Sequence, residues 1–445
     1  MKFQIISGIC DGCTRVRYSS ASWYLIEADA RIGGMPDRNC RFCNTKLSVT
    51  FADLGMSPPS NSYLKPDQLN GMERFYPLHA RVCEACKLVQ LEEFESPAEI
   101  FSEYAYFSSF SASWLKHAER YVEMMIGRFD FDARSQVVEI ASNDGYLLQY
   151  FKQRGVPVLG VEPAANVAKV ALEERRIPSL VEFFGVQTAK KMVAAGTGAD
   201  LLLGNNVLAH VPDINDFVAG MKILLKPDGI ITMEFPHLLR LIEQNQFDTI
   251  YHEHFSYLSF LTVERIFAHA GLKLFDVEEL PTHGGSLRIF AAHAESNRPV
   301  EKRVEMMRLL ERQFGLESIE TYRVFHESVR ETKRAFLEFL IQAKRRGRRI
   351  AAYGAAAKGN TLLNYCGVRD DFIDYVVDKN PYKQNSFLPG VHLPIYGPEK
   401  LAETQPNYVL ILPWNIQDEV MEQMSLIRSW GGKFVVAIPK VQVLP

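Results

Sequence analysis

An α/β fold is what this 445-residue chain predicts: two doubly wound units behind a small, β-rich, metal-tied segment. Three observations carry that prediction. Two Cys-x-x-Cys pairs, Cys40/Cys43 and Cys83/Cys86, flank residues 44–82 near the front. The short apolar run Val137-Val138-Glu139-Ile140 then enters the tight turn Ala141-Ser142-Asn143-Asp144-Gly145 and a helical stretch. A second such passage follows, from Arg349-Ile350-Ala351-Ala352-Tyr353 into Gly354-Ala355-Ala356-Ala357-Lys358-Gly359-Asn360-Thr361.

The size suits two or three domains, and 47% apolar residues with 11% aromatics suffice for sizeable cores. With 50 basic against 53 acidic residues, nothing points to a nucleic-acid or membrane surface. No apolar run reaches the roughly 18 residues of a membrane span, and the secretory order of basic, apolar and small residues is missing. A cytoplasmic, monomeric protein is expected, in a compartment where thiols stay reduced and paired Cys read as metal ligands. Residues 1–37 lack any clear period and are expected as an extension outside the fold; Cys10 and Cys13 there are half of a metal site at best. The basic run 344–349 falls between a helical stretch and a strand and reads as a solvated helix end.

Residues 38–100 are expected to hold a structural zinc on Cys40, Cys43, Cys83 and Cys86. Each pair fits a turn that aims two thiolates at one tetrahedral ion, and four cysteines leave no open position for catalysis. The separation exceeds that of a compact ribbon, so the insert must return as strands, with β character over 48–53 and 75–83. Residues 54–63, rich in turn formers and hydroxyls, read equally well as an ordinary loop or as a flap facing ligand.

In the middle, a helix is predicted over 146–154 and a second strand over 158–161, with Glu162 just past its end. An acid about 20 residues beyond a glycine turn suits the two hydroxyls of a ribose. The turn has one Gly where a dinucleotide fold needs three, and Glu139 and Asp144 place carboxylates where a cationic adenosyl group would lie. S-adenosylmethionine is therefore favoured over NAD. Ser142, Asn143 and Gly145 of the turn join Glu139, Asp144 and Glu162 as candidate cofactor residues. Asn205, at the end of a strand, is a candidate for the adenine side. The run Leu224-Leu225-Lys226-Pro227-Asp228-Gly229 precedes another strand, 229–235, ending near His237.

Next stands Tyr251-His252-Glu253-His254, two imidazoles, a carboxylate and a phenol in consecutive positions. Loops past strand ends open onto the crevice beyond such sheets, so the run suggests acid–base chemistry. The plain alternative is a polar loop with one buried His. His252 and His254 cannot share a helix face, which excludes a zincin-like pair. His210 begins a predicted helix and is either a reacting group or an imidazole held by backbone.

The last third opens on an amphipathic helical region, 318–347, with Phe325, Val329, Ala335, Phe336 and Phe339 on one face. Strands at 349–354, 375–378 and 408–412 then make a smaller βαβ unit. The turn after its first strand could set backbone N–H groups against phosphate, with Lys358 as counter-charge; tight helix–strand packing is the competing explanation. Lys358, Asn360, Asn364 and Asp378 are the candidate substrate-binding residues.

Taken together these motifs resemble the sugar C-methyltransferases that act on nucleotide-diphosphate 4-keto sugars. The likeness runs over residues 38–445. It is carried by the four cysteines with Asp53-Leu54-Gly55-Met56-Ser57-Pro58, by Glu139 to Tyr146, by Asn205-Asn206-Val207-Leu208-Ala209-His210, by Tyr251 to Tyr257, by His283-Gly284-Gly285-Ser286-Leu287-Arg288 and by Gly354 to Thr361. Ala141 stands where the family usually has Gly. The resemblance implies a zinc-binding segment (38–100), a class I methyltransferase domain (101–290) and a Rossmann-like domain for the nucleotide sugar (291–445), with a dTDP-linked sugar as the partner molecule. It also implies that Tyr251, Glu253, His254, His210 and a Tyr from Tyr104 or Tyr106 surround the sugar. His254 is then the base for the C3 proton, and Tyr104 or Tyr106 with His210 hydrogen-bonds the enolate oxygen. Glu253 orients His254 or binds a hydroxyl, and Tyr251 fixes the ring; His252 has no assigned role.

Overall fold

The computed structural model describes residues 14–17, 23–26, 38–96 and 108–445. Tyr104, Tyr106, Cys10 and Cys13 lie outside the described residues. The chain divides into two compact units, Met1–Asn39 and Cys40–Pro445. In the first, Thr14–Arg17 and Trp23–Ile26 pair antiparallel, with Thr14 opposite Ile26.

Among the described residues, the second unit contains three sheets. At its front β1 (Val49–Ser57), β2 (Tyr76–Val82) and β3 (Val89–Gln90) form an antiparallel meander, close to the two stretches of β character expected there.

After α1 (Ala112–Phe129), which Ser111 caps by accepting from the Trp114 N–H, comes the central sheet. Its strands are β4 (Val137–Ile140), β5 (Val158–Val161), β6 (Ser179–Leu180), β7 (Ala199–Asn205) and β8 (Leu225–Pro236). After β9 (Ser256–Tyr257), the chain adds β10 (Leu272–Leu280) and β11 (Ser286–His293). The order is β10-β11-β8-β7-β4-β5-β6, with β11 antiparallel to both neighbours and the other pairs parallel. This is the class I methyltransferase arrangement. All four residues of β4 are buried, as a strand covered on both faces requires. The order reverses between β4 and β7, which opens a crevice at their carboxyl ends. The Lys-Pro-Asp-Gly passage is taken into β8, whose register slips between Leu225 and Ile230.

The strand β9 does not join the central sheet. Ser256 and Tyr257 pair with Gln90 and Val89, so the front sheet reads β9-β3-β2-β1 and borrows a rung from far along the chain.

The helical region of the last third is a short helix, Ile319–Arg323, followed by α2 (Phe325–Arg345). Phe325, Val329, Thr332, Phe336, Leu340 and Ala343 make its buried face; Ala335 and Phe339 are half-buried at its margin. In the basic run at its end, Lys344 and Arg349 pair with Asp374. Beyond it lie β12 (Ile350–Tyr353), α3 (Ala357–Cys366), β13 (Val376–Val377), β14 (Ile395–Tyr396), β15 (Tyr408–Ile411), β16 (Lys433–Val436) and β17 (Gln442–Leu444). They form a six-stranded sheet, β14-β13-β12-β15-β16-β17, parallel except at β17. Here too the order reverses, between β12 and β15.

The front segment shares a core with each α/β part. Phe51 of β1 stacks on Phe325 of α2 at 4.4 Å, within the apolar cluster of the last sheet. Cys40, Cys83, Cys86 and Leu88 instead belong to the cluster under the central sheet.

Candidate active site

The four predicted metal ligands converge. Their sulfurs all lie within 4.8 Å of one another, with Cys40–Cys86 and Cys43–Cys83 each at 3.5 Å. A tetrahedral zinc with bonds of about 2.3 Å sets sulfur–sulfur edges of about 3.8 Å, so the quartet suits one such ion. Gln90 Nε2 donates to Cys40 Sγ at 3.2 Å, the supporting bond a thiolate would use.

At the end of β4 the backbone turns sharply. Ala141, Asn143 and Gly145 have φ of +55°, +49° and +75°. The left-handed geometry at Ala141 explains why a glycine suits that position, and a methyl there costs on the order of 1 kcal/mol. Glu139 is buried with neither carboxylate oxygen hydrogen-bonded among the described residues; Ser142 Oγ and Asp144 Oδ1 are likewise unpartnered. Burial, then Asp144 and Glu162, push the Glu139 carboxyl well above its ordinary range, with the nearby Tyr146 hydroxyl opposing. Three acids gathered in this way, with Arg175 3.7 Å from Asp144, call for a cation. A methionine ammonium and sulfonium match that need. Gly160 on β5 leaves the space, since a Cβ there would stand 2.3 Å from Ser142 Oγ. Glu162 also has a task the sequence did not reveal: its two oxygens accept from the N–H groups of Asn143 and Ala164, both at 2.9 Å. Each oxygen keeps a lone pair for a ribose hydroxyl. Asn205 ends β7, with its Nδ2 unpartnered among the described residues.

Residues 251–254 lie between the turn Phe247–Thr249 and β9. His254 Nδ1 is 2.9 Å from the Thr249 carbonyl oxygen, which can only accept, so Nδ1 carries the proton and Nε2 the lone pair. The Tyr251 hydroxyl donates to that Nε2 at 2.8 Å. The His210 ring stands edge-on to His254 at 4.7 Å, on the single 3-10 turn Leu208–His210 instead of a longer helix. Burial holds His254 well below its ordinary pKa, His210 adding to the effect, and burial brings His210 down to about 4. Both imidazoles are therefore neutral near pH 7. Glu253 makes no hydrogen bond to His254; it accepts from Asn61 Nδ2 at 2.5 Å, and burial pushes it up to about 7. His252 turns away, 3.3 Å from the Pro77 carbonyl and edge-on to Tyr76 and Phe94.

On the facing side, Lys358 lies in the first turn of α3, not in the loop before it. Its Nζ donates to Asn415 Oδ1 at 2.7 Å and sits 4.6 Å over the Trp414 ring. Trp414 Nε1 donates to the buried Asp248 at 2.8 Å, and burial pushes Asp248 up to about 6. Burial lowers Lys358, with Asp248 opposing. The Trp414 ring also lies against Gly284, next to His283, and the charge of Lys358 acts on both His254 and His283. Asn360 is wholly buried, with both ends of its amide unpartnered among the described residues. Asn364 and Asp378 are committed locally: Asn364 Nδ2 donates to the carbonyls of Asn360 and Pro389, and Asp378 accepts from the N–H groups of Ala355 and Asn380.

Of the stretch 54–63 expected as a loop, 54–57 are the end of β1, and residues 58–63 beyond it reach this region. Besides Asn61 on Glu253, the Tyr63 hydroxyl donates to the Ala355 carbonyl at 2.6 Å, and Ser60 lies 3.5 Å from Thr361. Asn61, Tyr63, Asp248 and Trp414 were not singled out from the sequence. Only the loop's run of turn formers and hydroxyls hinted at the first two.

Family comparisons agree with this architecture. Residues 114–277 match a methyltransferase domain, 281–439 the C-methyltransferase C-terminal domain, and 40–101 a family described as "Putative zinc binding domain". C-methyltransferase NovU of Streptomyces niveus is 34% identical over 409 residues, 92% of this chain and 97% of that protein. The ubiquinone biosynthesis O-methyltransferase of Methylobacterium sp. (strain 4-46) is 33% identical over 97 residues, 21% of this chain and 38% of that one. Among solved structures, the PH0226 protein of Pyrococcus horikoshii OT3 matches at 15% identity and a TM-score of 0.36, covering 45% of this chain and 99% of that one. Magnesium protoporphyrin IX methyltransferase of Synechocystis PCC 6803 with bound SAM matches at 12% and 0.31, over 40% and 79%. By its near full-length relationship to NovU and its central sheet, the chain is an S-adenosylmethionine-dependent methyltransferase and belongs to the C-methyltransferase family.

Proposed function

We propose that the acceptor is a nucleotide-diphosphate 4-keto-6-deoxy sugar, dTDP-linked, and that the methyl group goes to C3. The observation that carries this reading is the fixed, neutral His254: its Nδ1–H is held by the Thr249 carbonyl, and its one lone pair, on Nε2, is held by a hydroxyl that can turn to a sugar and leave Nε2 to take a proton. S-adenosylmethionine supplies an electrophilic methyl group when bound. Glu139, Ser142, Asn143, Asp144, Gly145, Glu162 and Asn205 are the residues assigned to hold it.

Deprotonation beside the ketone falls to His254. The C3–H bond breaks, its electrons pass into the carbonyl as an enolate, and the proton goes to Nε2. The Nδ1–H bond to Thr249 steadies the ring as it becomes positive. The Tyr251 hydroxyl, which holds that lone pair in the free protein, must turn from Nε2 to the sugar ring before the proton can be taken, and Glu253 and Asn61 present a polar edge to the ring hydroxyls. His210, with Tyr104 or Tyr106 on the strength of the family resemblance, is assigned to the oxygen. Lys358, Asn360, Asn364, Asp378 and the N-terminal turn of α3 are assigned to the sugar nucleotide. A structural zinc on Cys40, Cys43, Cys83 and Cys86 braces the front segment, and segments 38–100, 101–290 and 291–445 divide the labour.

The test is incubation with S-adenosylmethionine and a panel of dTDP-4-keto-6-deoxy sugars, with the product read by mass and NMR. A new methyl on C3 is expected; a methyl on oxygen or nitrogen, or on C5, overturns the corresponding part. His254→Gln should abolish transfer while S-adenosylhomocysteine still binds, and full activity in that variant would refute the base.

A further inference from the structure

We propose that His283, held by Asn206, donates a hydrogen bond to the acceptor's ketone oxygen as negative charge builds there. The proposal rests on the reading of the reaction given above. Two non-glycine residues with left-handed backbones meet at this point: Asn206, just past β7, at φ +57°, and His283, past β10, at φ +56°. Such conformations persist only where the surroundings impose them, and they concentrate at functional sites. Here the surroundings are explicit. The Asn206 N–H donates to the Glu234 carbonyl at 2.7 Å. Gly284 and Gly285 follow His283 at φ +89° and +116°, where a Cβ would stand 2.5 Å from the Trp414 ring and 2.7 Å from Arg240 Cγ. Trp114 meets the imidazole edge-on at 5.6 Å.

The polarity of the pair then follows from its donors. Asn206 Nδ2 donates to His283 Nε2 at 2.9 Å, so that nitrogen holds the lone pair and Nδ1 holds the proton. The Nδ1–H has no partner among the described residues, and the side chain is open to the cleft. With Nε2 accepting from Asn206 the ring is a neutral imidazole, and the nearby charge of Lys358 opposes its protonation. Its chain neighbour Gly284 lies against the Trp414 ring that carries Lys358, and His283 acts on His254 through space, so base and donor belong to one neighbourhood. A base that strips a proton from carbon needs such a donor on the adjoining oxygen, since the electrons released collect there. Of the groups near His254, Tyr251 is already bonded to it and Lys358 to Asn415; His283 has an N–H to add to that of His210, the imidazole already assigned to this oxygen.

The experiment compares the full chain with His283→Gly, which keeps the left-handed backbone and removes the imidazole, and with Asn206→Gly. Each is given a dTDP-4-keto-6-deoxy sugar in D2O without S-adenosylmethionine, and deuterium uptake beside the ketone is followed by NMR. Methyl transfer and S-adenosylhomocysteine binding are measured in parallel. His283→Gly should slow exchange and lower kcat together by about 100-fold, with KM changed by less than about 3-fold and S-adenosylhomocysteine binding intact. Asn206→Gly should lose about 10-fold in both rates, as a positioning residue would. Exchange within about 3-fold of wild type in His283→Gly overturns the assignment, as does loss of S-adenosylhomocysteine binding, which would make the role structural. If the wild-type chain neither exchanges nor methylates any 4-keto sugar, the reading of the substrate fails instead.

Discussion

Glu139 shows what a buried carboxylate without a counter-charge does to both binding and stability. Its pKa is raised, so the folded state disfavours the charged form, and the penalty grows as pH rises above the ordinary carboxylate range. Glu139→Gln should therefore melt about 2–5 °C higher than wild type at pH 8 without cofactor, with the gap closing toward pH 5, as differential scanning would show. The same variant should bind S-adenosylmethionine at least about 10-fold more weakly by calorimetry, because its cation loses its counter-charge. His252 behaves in the opposite sense. Buried at 5% exposure and brought down to about 4, it sits in the fold without penalty above its unfolded pKa near 6.5, and stability is lost as pH falls from there toward 4. The full shift corresponds to about 3 kcal/mol. His252→Phe should thus lose less melting temperature than wild type between pH 6.5 and 4, with activity at pH 7.5 unchanged. Among single residues, the cysteines and His254 were legible because residue type alone announces their chemistry. Asn61 was not: it reaches Glu253 across most of the central domain's sequence, and nothing local marks that contact.

Elements carried by a buried apolar run were readable, and most of the shortest were not. Such runs gave away β4, β5 and β15, and even the two-residue β13 inside the expected strand 375–378, whereas β6, β9 and β14 carry no pattern to read. The loop over residues 58–63 is the clearest case of an element whose role depends on what it meets. It packs against α3 and against Glu253, and that second contact is testable. The Asn61 amide lowers the pKa of Glu253 against the effect of burial. Asn61→Ala should push Glu253 further above about 7, so any limb of the pH–rate profile that belongs to Glu253 moves up, whichever ionised form the reaction needs. A limb that stays fixed would separate Glu253 from the rate.

Across the whole molecule, the succession of a cysteine-rich front and two α/β sheets could be read from composition and turns. The way these parts interlock could not, because the contacts join residues far apart in the chain and the strand pairing among them is two residues long, Ser256 and Tyr257 on Gln90 and Val89. That connection ties the cysteine quartet to the cleft, since Gln90 also bonds Cys40 and only Phe255 separates His254 from Ser256. Cys83→Ser should lower zinc content from about one ion per chain to a small fraction, and methyl transfer should fall in parallel with it. Metal analysis of the variant beside its activity would check this; full activity without zinc would show the two ends of the connection to be independent.

The borrowed rung also bears on ancestry and on engineering. Because the front sheet is completed by a strand encoded far downstream of its own, a crossover placed at the apparent seam near residue 100 would join a sheet from one parent to a last strand from another. Hybrids between distant relatives should fold only when residues 61, 89–90 and 253–257 travel as a set, so the heritable module here is discontinuous in the gene although it is continuous in space.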